Sequence, residues 1–330
     1  MDKSQKPYCR WLGKKRLMLL ILCSLGVVFG NGVSTRAWAE DIAIIVSGDL
    51  SVYQMALDGF RESCQCTVKK YFITQQDEGS IEDVLSQIKK SNPKLIFAIG
   101  KISANLANSN FSELPIIFSL VPNPEQYNLY GKNIYGVRLD VNPKSQIDYL
   151  RKIFPKVRNI GILYNAQRSQ EIIDSIRKEA SNLNIGIVAV NVSSNSQIAE
   201  AISSLEGKID SFWLITDSTV ANNVVFERLL IFTLSNKIPL LCPARAFVDK
   251  GGLFALDVDF RDLGAQAAQI ANELLGVASG KVSIEENKIQ WPRKVKLILN
   301  TKVANTIGLS IPQSIMQEAD QIIENSYNKK

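Results

Sequence analysis

Six places along the chain put small polar or charged side chains at the end of an apolar run. They are Ser47-Gly48-Asp49, Gly100-Lys101-Ile102-Ser103, Ser119 to Asn123, Tyr164-Asn165, Thr216 to Thr219 and Pro243-Ala244-Arg245. Together they offer hydroxyls, amides, acids and two bases, a set suited to holding a small zwitterionic or polar molecule. They do not make a catalytic set. The chain contains no histidine, which excludes Ser-His-Asp and Cys-His nucleophiles, a histidine general base and a His-ligated zinc. The one G-x-G, Gly30-Asn31-Gly32, lies near the N-terminus, and neither a phosphate-binding loop nor a G-x-S-x-G elbow occurs. Carboxylates are plentiful, but none is paired by sequence in a way that marks acid–base work.

These positions need elements to hold them. Short apolar runs alternate with amphipathic stretches. The pattern predicts strands at 41–47, 67–73, 95–100, 115–121 and 133–140, then again at 159–165, 186–192, 211–216, 238–242, 253–260 and 295–300. Helices are predicted at 49–63, 81–90, 103–108, 143–154, 169–183, 196–205, 222–235 and 261–275, with a surface helix at 314–325. Strands separated by helices argue for parallel, doubly wound sheets, since parallel neighbours need a crossover. The alternation restarts near residue 143, so two similar α/β halves in tandem are expected. In such sheets ligands sit at the carboxyl ends of the strands, which is where the six polar clusters fall.

The chain has 330 residues, with 38 Lys/Arg against 32 Asp/Glu. Residues 1–39 hold seven of the bases and one acid, which leaves 31 of each in the remainder. The body is therefore neutral and gives no support for a nucleic-acid surface. The leader explains its own charge. A basic segment ends at Lys14-Lys15-Arg16, an apolar stretch runs from Leu17 to Phe29, and Ala37-Trp38-Ala39 gives a small-x-small cleavage pattern. A signal peptide cut before Glu40 is expected, with a periplasmic mature protein. Three cysteines follow it, Cys64, Cys66 and Cys242. That is too few for a disulfide scaffold, and buried or weakly reactive thiols are expected.

Several segments carry a family likeness when taken in order: Ala56-Leu-Asp-Gly-Phe60, Ala98-Ile-Gly100, Leu114-Pro-Ile-Ile-Phe118, Asn133-Ile-Tyr-Gly-Val137 and Arg158 to Asn165. Thr216-Asp-Ser-Thr-Val220, Lys237-Ile-Pro239, Val258 to Gly264 and Gly308 to Pro312 continue it. With this order and the leader, the chain from Asp41 to Pro312 resembles the substrate-binding proteins of ABC transporters. Within them it resembles the type I periplasmic-binding subgroup that includes tryptophan- and tyrosine-binding members. The resemblance implies an α/β fold of two Rossmann-like lobes, with parallel sheets flanked by helices, joined by a three-crossing hinge. Lobe one is placed at 41–141 plus 259–284 and lobe two at 142–258 plus 285–330. A ligand closes the hinge and a membrane permease recognises the closed form. No covalent chemistry, cofactor or metal is implied. The partners implied are a small molecule and the permease, with the chain acting as a monomer. A sensor that reports occupancy to a membrane receptor would use the same fold.

The expected ligand-binding set is Ser47, Asp49, Tyr53, Lys101, Ser103, Ser119, Asn123, Asn165, Arg168, Ser169, Asp217, Arg245 and Asp257. By resemblance Asp217 contacts an amine, although Asp is also favoured as a helix cap. Ser169 lies where relatives hold a carboxylate, and a helix start there would favour an anion. Arg168 either supports that contact or faces solvent. Lys101 and Arg245 depart from the family pattern by placing bases at strand ends, which leaves room for an acidic ligand. Asp257 replaces a common glycine. Tyr53, Tyr164, Trp213 and Phe247 either stack on a ligand or fill the core.

Overall fold

The computed structural model describes residues 41–73, 78–277 and 288–324. The leader expected at 1–39 lies outside them. Among the described residues no helix is long and apolar enough to cross a membrane.

The first half builds β1 (Ile42–Ser47), α1 (Ser51–Ser63), β2 (Val68–Ile73), α2 (Glu78–Ser91) and β3 (Leu95–Ile99). It continues with α3 (Lys101–Asn110), β4 (Ile116–Val121), a 3-10 turn at Pro124–Tyr127 and β5 (Ile134–Arg138). The second half follows with α4 (Pro143–Ile153), β6 (Asn159–Tyr164), α5 (Ala166–Ser181), β7 (Gly186–Asn191), α6 (Ile198–Ser203) and β8 (Ser211–Trp213). Then come α7 (Asn223–Ser235), β9 (Leu240–Cys242), α8 (Arg245–Val248) and β10 (Phe254–Val258). The chain ends with α9 (Phe260–Leu274), β11 (Ile289–Gln290), β12 (Val295–Asn300), α10 (Thr301–Ile307), α11 (Gln313–Glu318) and β13 (Gln321–Ile323).

Two sheets result, one per lobe. The first has the order β11-β5-β4-β3-β1-β2 and every pairing in it is parallel. Its central strands are unbroken apolar runs because helices cover both faces; β1, β3 and β4 are buried almost throughout. Edge strand β2 instead carries exposed Lys69 and Lys70, charges that discourage edge-to-edge pairing. The second sheet has the order β13-β12-β10-β9-β8-β6-β7. It is parallel except where β12 runs against β10.

The chain passes between the lobes three times: after β5, between β10 and α9, and between β11 and β12. Helix α9 returns to the first lobe and crosses α1 at backbone contact. A Cβ on Gly264 would lie 1.8 Å from the Ala56 carbonyl oxygen, and one on Gly59 would lie 1.9 Å from that of Arg261. On the other side of α1, Phe60 stacks on Phe97 with centroids 4.1 Å apart. β11 pairs with β5 in the first sheet, and residues 291–294 join it to β12 of the second.

Most predicted elements form within a few residues of their expected ends. The tail differs. Instead of one helix over 314–325, α11 stops at Glu318 and β13 adds a strand beside β12. The outer edge of β12 presents unpaired backbone groups. The chain meets them with the β-branched pair Ile322-Ile323, while the Asp320 carboxylate accepts the Leu297 N–H at 2.8 Å. Helix α5 starts three residues earlier than predicted because Asn165 caps it, accepting the Gln167 N–H at 3.0 Å. It is kinked at Ser169, whose φ and ψ are −136° and 17°.

Candidate functional site

A cavity of about 750 Å³ opens between the lobes at the carboxyl ends of both sheets. The first lobe contributes Tyr53 on α1, Lys101 at the start of α3, Leu120 on β4, Tyr127 and Arg138. The second contributes Glu171 and Ile172 on α5, Trp213 at the end of β8 and Thr216 beyond it, Phe247 on α8 and Asp257 on β10. The crossings add Asp140 and Trp291, and the start of α9 adds Phe260.

Local backbone irregularity shapes this wall. The β4–β5 register slips between Ser119 and Val121, and Leu120 between them has φ +58°. That left-handed conformation costs a leucine roughly 1–3 kcal/mol, and it turns the Leu120 side chain to the cavity. The Ser119 hydroxyl beside it is fully buried and, among the described residues, has no hydrogen-bond partner.

Arg138, at the carboxyl end of β5, forms the floor. Its Nη1 and Nη2 reach the Glu125 carboxylate at 2.5 and 2.9 Å, a bidentate geometry. The Trp291 ring covers the guanidinium at 4.3 Å. Trp291 is held in turn by α9: Gln266 donates to its carbonyl at 3.0 Å, and Asp262 grips Arg293 through two bonds of 2.9 Å. Asp140, two residues past Arg138, sits in the first crossing. Its carboxylate accepts the Asn123 N–H from one lobe and the Thr216 hydroxyl from the other, both at 2.7 Å. Burial pushes its pKa above the usual carboxylate value.

Of the thirteen residues expected to bind ligand, Tyr53, Lys101 and Asp257 reach the cavity wall. Burial raises the pKa of Tyr53, and Lys101 lies over the Tyr127 ring at 5.6 Å. Ser47 and Ser103 bond to each other at 2.7 Å just behind Tyr53, with the Ser103 N–H also donating to Ser47 Oγ. Asp49 is exposed. Arg245 turns outward to Asp249 at 3.3 Å, because α8 places the two one helical turn apart.

The remaining polar residues gather beside the cavity, where the lobes touch. Asn123, in the left-handed region with φ 49°, donates from Nδ2 to the Arg168 carbonyl at 3.2 Å and to Ser169 Oγ at 3.4 Å. Gln126 also donates to the Arg168 carbonyl, while the Arg168 side chain is exposed. Ser169 donates to Asp217 at 2.8 Å. Asp217 is fully buried, and its two oxygens also accept the N–H groups of Asn165 and Thr219, both at 2.8 Å. Asn222 caps α7, and Asp217 ties the turn after β6 to the loop after β8. Asn165 adds a bond to the Thr219 hydroxyl at 3.2 Å.

Arg138, Asp140, Glu125 and Trp291 escaped the sequence reading. The strand-end rule applied to β5 would have reached Arg138 and Asp140. Nothing local marks Trp291, which comes to the site through the packing of α9. Trp213 and Phe247 do line the cavity although both also pack into the core. Tyr164 is buried and bonds Gln170 at 3.2 Å. The cysteines are free; burial pushes the Cys64 thiol up to about 12 and that of buried Cys242 higher still.

The profile of the ABC transporter substrate binding protein family matches residues 42–323. A tyrosine-binding protein of Clostridioides difficile (strain R20291) is 27% identical over 264 residues, covering 78% of this chain and 74% of the relative. Among solved structures, the ligand-free, open form of a substrate-binding protein with adhesive properties from Clostridium difficile gives a TM-score of 0.69. It is 21% identical and covers 87% of this chain and all of that one. An ABC domain from Streptococcus pneumonia in complex with L-Trp gives a TM-score of 0.60 at 24% identity, over 86% of this chain and all of that one. At these identities the two structures speak for a shared fold.

Proposed function

The chain belongs to the ABC transporter substrate-binding protein family, whose members bind solutes and are not enzymes, and from that premise we propose that it is exported and captures an amino-acid-like solute between its lobes. It then delivers the solute to the membrane permease of an ABC importer. The observation that carries this reading is the cavity of about 750 Å³ walled by strand ends of both lobes, a volume within the ~300–1,000 Å³ of small-molecule sites. A ligand touching both walls favours the closed arrangement over the open one by its contacts alone, and occupancy becomes visible to a partner that reads the closed form. The amino-acid class is supported by the tyrosine-binding relative. Tyr53, Lys101 and Asp257 are the ligand-facing members of the sequence set. The lobes comprise 41–140 plus 260–290, and 141–258 plus 295–324, and the leader directs the chain to the periplasm, where it acts as a monomer.

The test is a thermal-unfolding screen of the chain from residue 40 against amino acids, peptides, nucleosides, organic acids and sugars. A solute at a hundred times its Kd adds about 2.7 kcal/mol to the folded state. A shift with amino-acid-like solutes, recovered unchanged by mass spectrometry, supports the reading. A product formed in the incubation, or no shift with any class and nothing released on denaturation, overturns it.

A further inference from the structure

Among the described residues four carboxylates face the cavity, Glu125, Asp140, Glu171 and Asp257, against two cationic side chains, Lys101 and Arg138. Arg138 pairs through Nη1 and Nη2 with Glu125, and among the described residues its buried Nε has no hydrogen-bond partner. The oxygens of Asp140 are filled by the Asn123 N–H and the Thr216 hydroxyl. Glu171 is exposed at the rim. Asp257 differs from all three. It is half-buried, and its partners are the backbone N–H of Val258 at 3.0 Å and of Arg245 at a long 3.4 Å. The nearby cations are committed elsewhere. Lys296, opposite Asp257 in the β10–β12 ladder, pairs with Asp259 at 3.1 Å, and Arg245 pairs with Asp249. Among the described residues Asp257 has no ion pair. Burial accordingly raises its pKa, against weaker opposition from the backbone bonds and the distant cations.

A half-buried carboxylate without a counterion is costly, and at a cavity wall an incoming cation would relieve that cost. The surroundings suit one. Rings of Tyr53, Tyr127, Trp213, Phe247, Phe260 and Trp291 line the same cavity, and aromatic faces attract cations while burying an apolar body. Of the two bases that departed from the family pattern, Arg245 is turned away to Asp249 and Lys101 lies over the Tyr127 ring, so the four carboxylates still outnumber the cationic side chains at the wall.

We propose that the cavity selects its ligand through a cationic amine held by the Asp257 carboxylate, with an aromatic body packed among the rings. The inference rests on the solute-binding reading above and narrows its substrate class.

Calorimetric titration of the chain from residue 40, stripped of bound solute by unfolding and refolding, tests it. The probes are tyrosine and tryptophan, the amines tyramine and tryptamine, and the deaminated acids 3-(4-hydroxyphenyl)propionate and indole-3-propionate. The amines are expected to bind and the acids to fail. Asp257→Asn is expected to weaken tyramine and tryptamine by roughly ten- to a hundredfold, the scale of a charged hydrogen bond, with the unfolding midpoint of the free protein not lowered. If that variant does not fold, the wild type still decides: amine affinity must fall as pH is lowered through the titration of Asp257. Acids binding as tightly as amines, or an unaltered affinity in a folded Asp257→Asn, overturns the inference and leaves the solute-binding reading standing. If no probe binds, the solute released by denaturing the native protein decides. A cationic amine upholds the inference, a molecule without one overturns the inference alone, and nothing released overturns both.

Discussion

Between the lobes, a bonded seam and an open cavity lie side by side, both made from strand ends and helix starts. In the seam, Asn123 and Gln126 of one lobe meet Arg168 and Ser169 of the other, and Asp217 backs them with three hydrogen bonds of its own. In the cavity, Asp257 lines the wall, and among the described residues its partners are backbone N–H groups only. Both are acids at the carboxyl edge of the second sheet. One has its valences filled by protein and is fixed; the other leaves room for something else. The chemistry of a site residue is therefore carried by what surrounds it, and residue type alone does not separate scaffold from ligand contact.

Substitutions break this comparison in graded ways. The largest effect is expected at Asp217. Asp217→Ala strips the acceptor from two backbone N–H groups and the Ser169 hydroxyl in a fully buried place. It should cost about 3–5 kcal/mol of stability by denaturant unfolding; a loss below about 1 kcal/mol would make the seam ornamental. Asp257→Asn should show the reverse profile, with affinity for aromatic amines reduced by roughly ten- to a hundredfold and stability changed by less than about 1 kcal/mol. A smaller effect is expected from Asn123→Ala, which removes the side-chain bonds across the lobes and leaves an alanine at φ 49°. Roughly 1–2 kcal/mol should be lost, with a larger radius of gyration in small-angle scattering as the seam loosens.

The smallest effect is a pH dependence. The raised pKa of Asp257 means that the carboxylate takes up its proton at a higher pH than an ordinary aspartate. Amine affinity should then decline on acidification before ordinary carboxylates titrate, and the decline should be absent in Asp257→Asn. Asp140, also raised by burial, acts on the free protein. Its native state binds the proton more tightly than the unfolded chain does. Its contribution to stability is therefore greatest at low pH and falls as pH rises from the unfolded value of 3.8 through the native one. The slope of the unfolding midpoint across that window, compared with Asp140→Asn, measures it.

Much of the framework was legible in order. Runs such as Leu95–Ile99 are apolar at every position because both faces of a central parallel strand are covered. The helices announce themselves by spacing, as in α1, where Ala56, Leu57 and Phe60 share the buried face. The site was less legible. Ser103, Ser119, Asn123 and Ser169 lie where strand ends place polar groups, yet all are buried behind the wall or in the seam. Arg245 carries the right charge at the right strand end, and a one-turn helix aims it at Asp249.

The sequence by itself determined the alternation of strand and helix, the two tandem halves, the absence of histidine chemistry and the edge of each sheet where polar groups collect. These follow from local periodicity and composition, which act over a few residues. Only the tertiary structure decided which of those polar groups face the cavity. It brought Trp291 from the last crossing over Arg138 by way of α9, whose glycine contact with α1 fixes its position. It closed Asp217 within a network spanning residues 165 to 219 and, among the described residues, left Asp257 with backbone partners and no ion pair. The physical reason is that a side chain's availability is set by its partners, and here those partners come from segments far apart along the chain, where no local pattern records them.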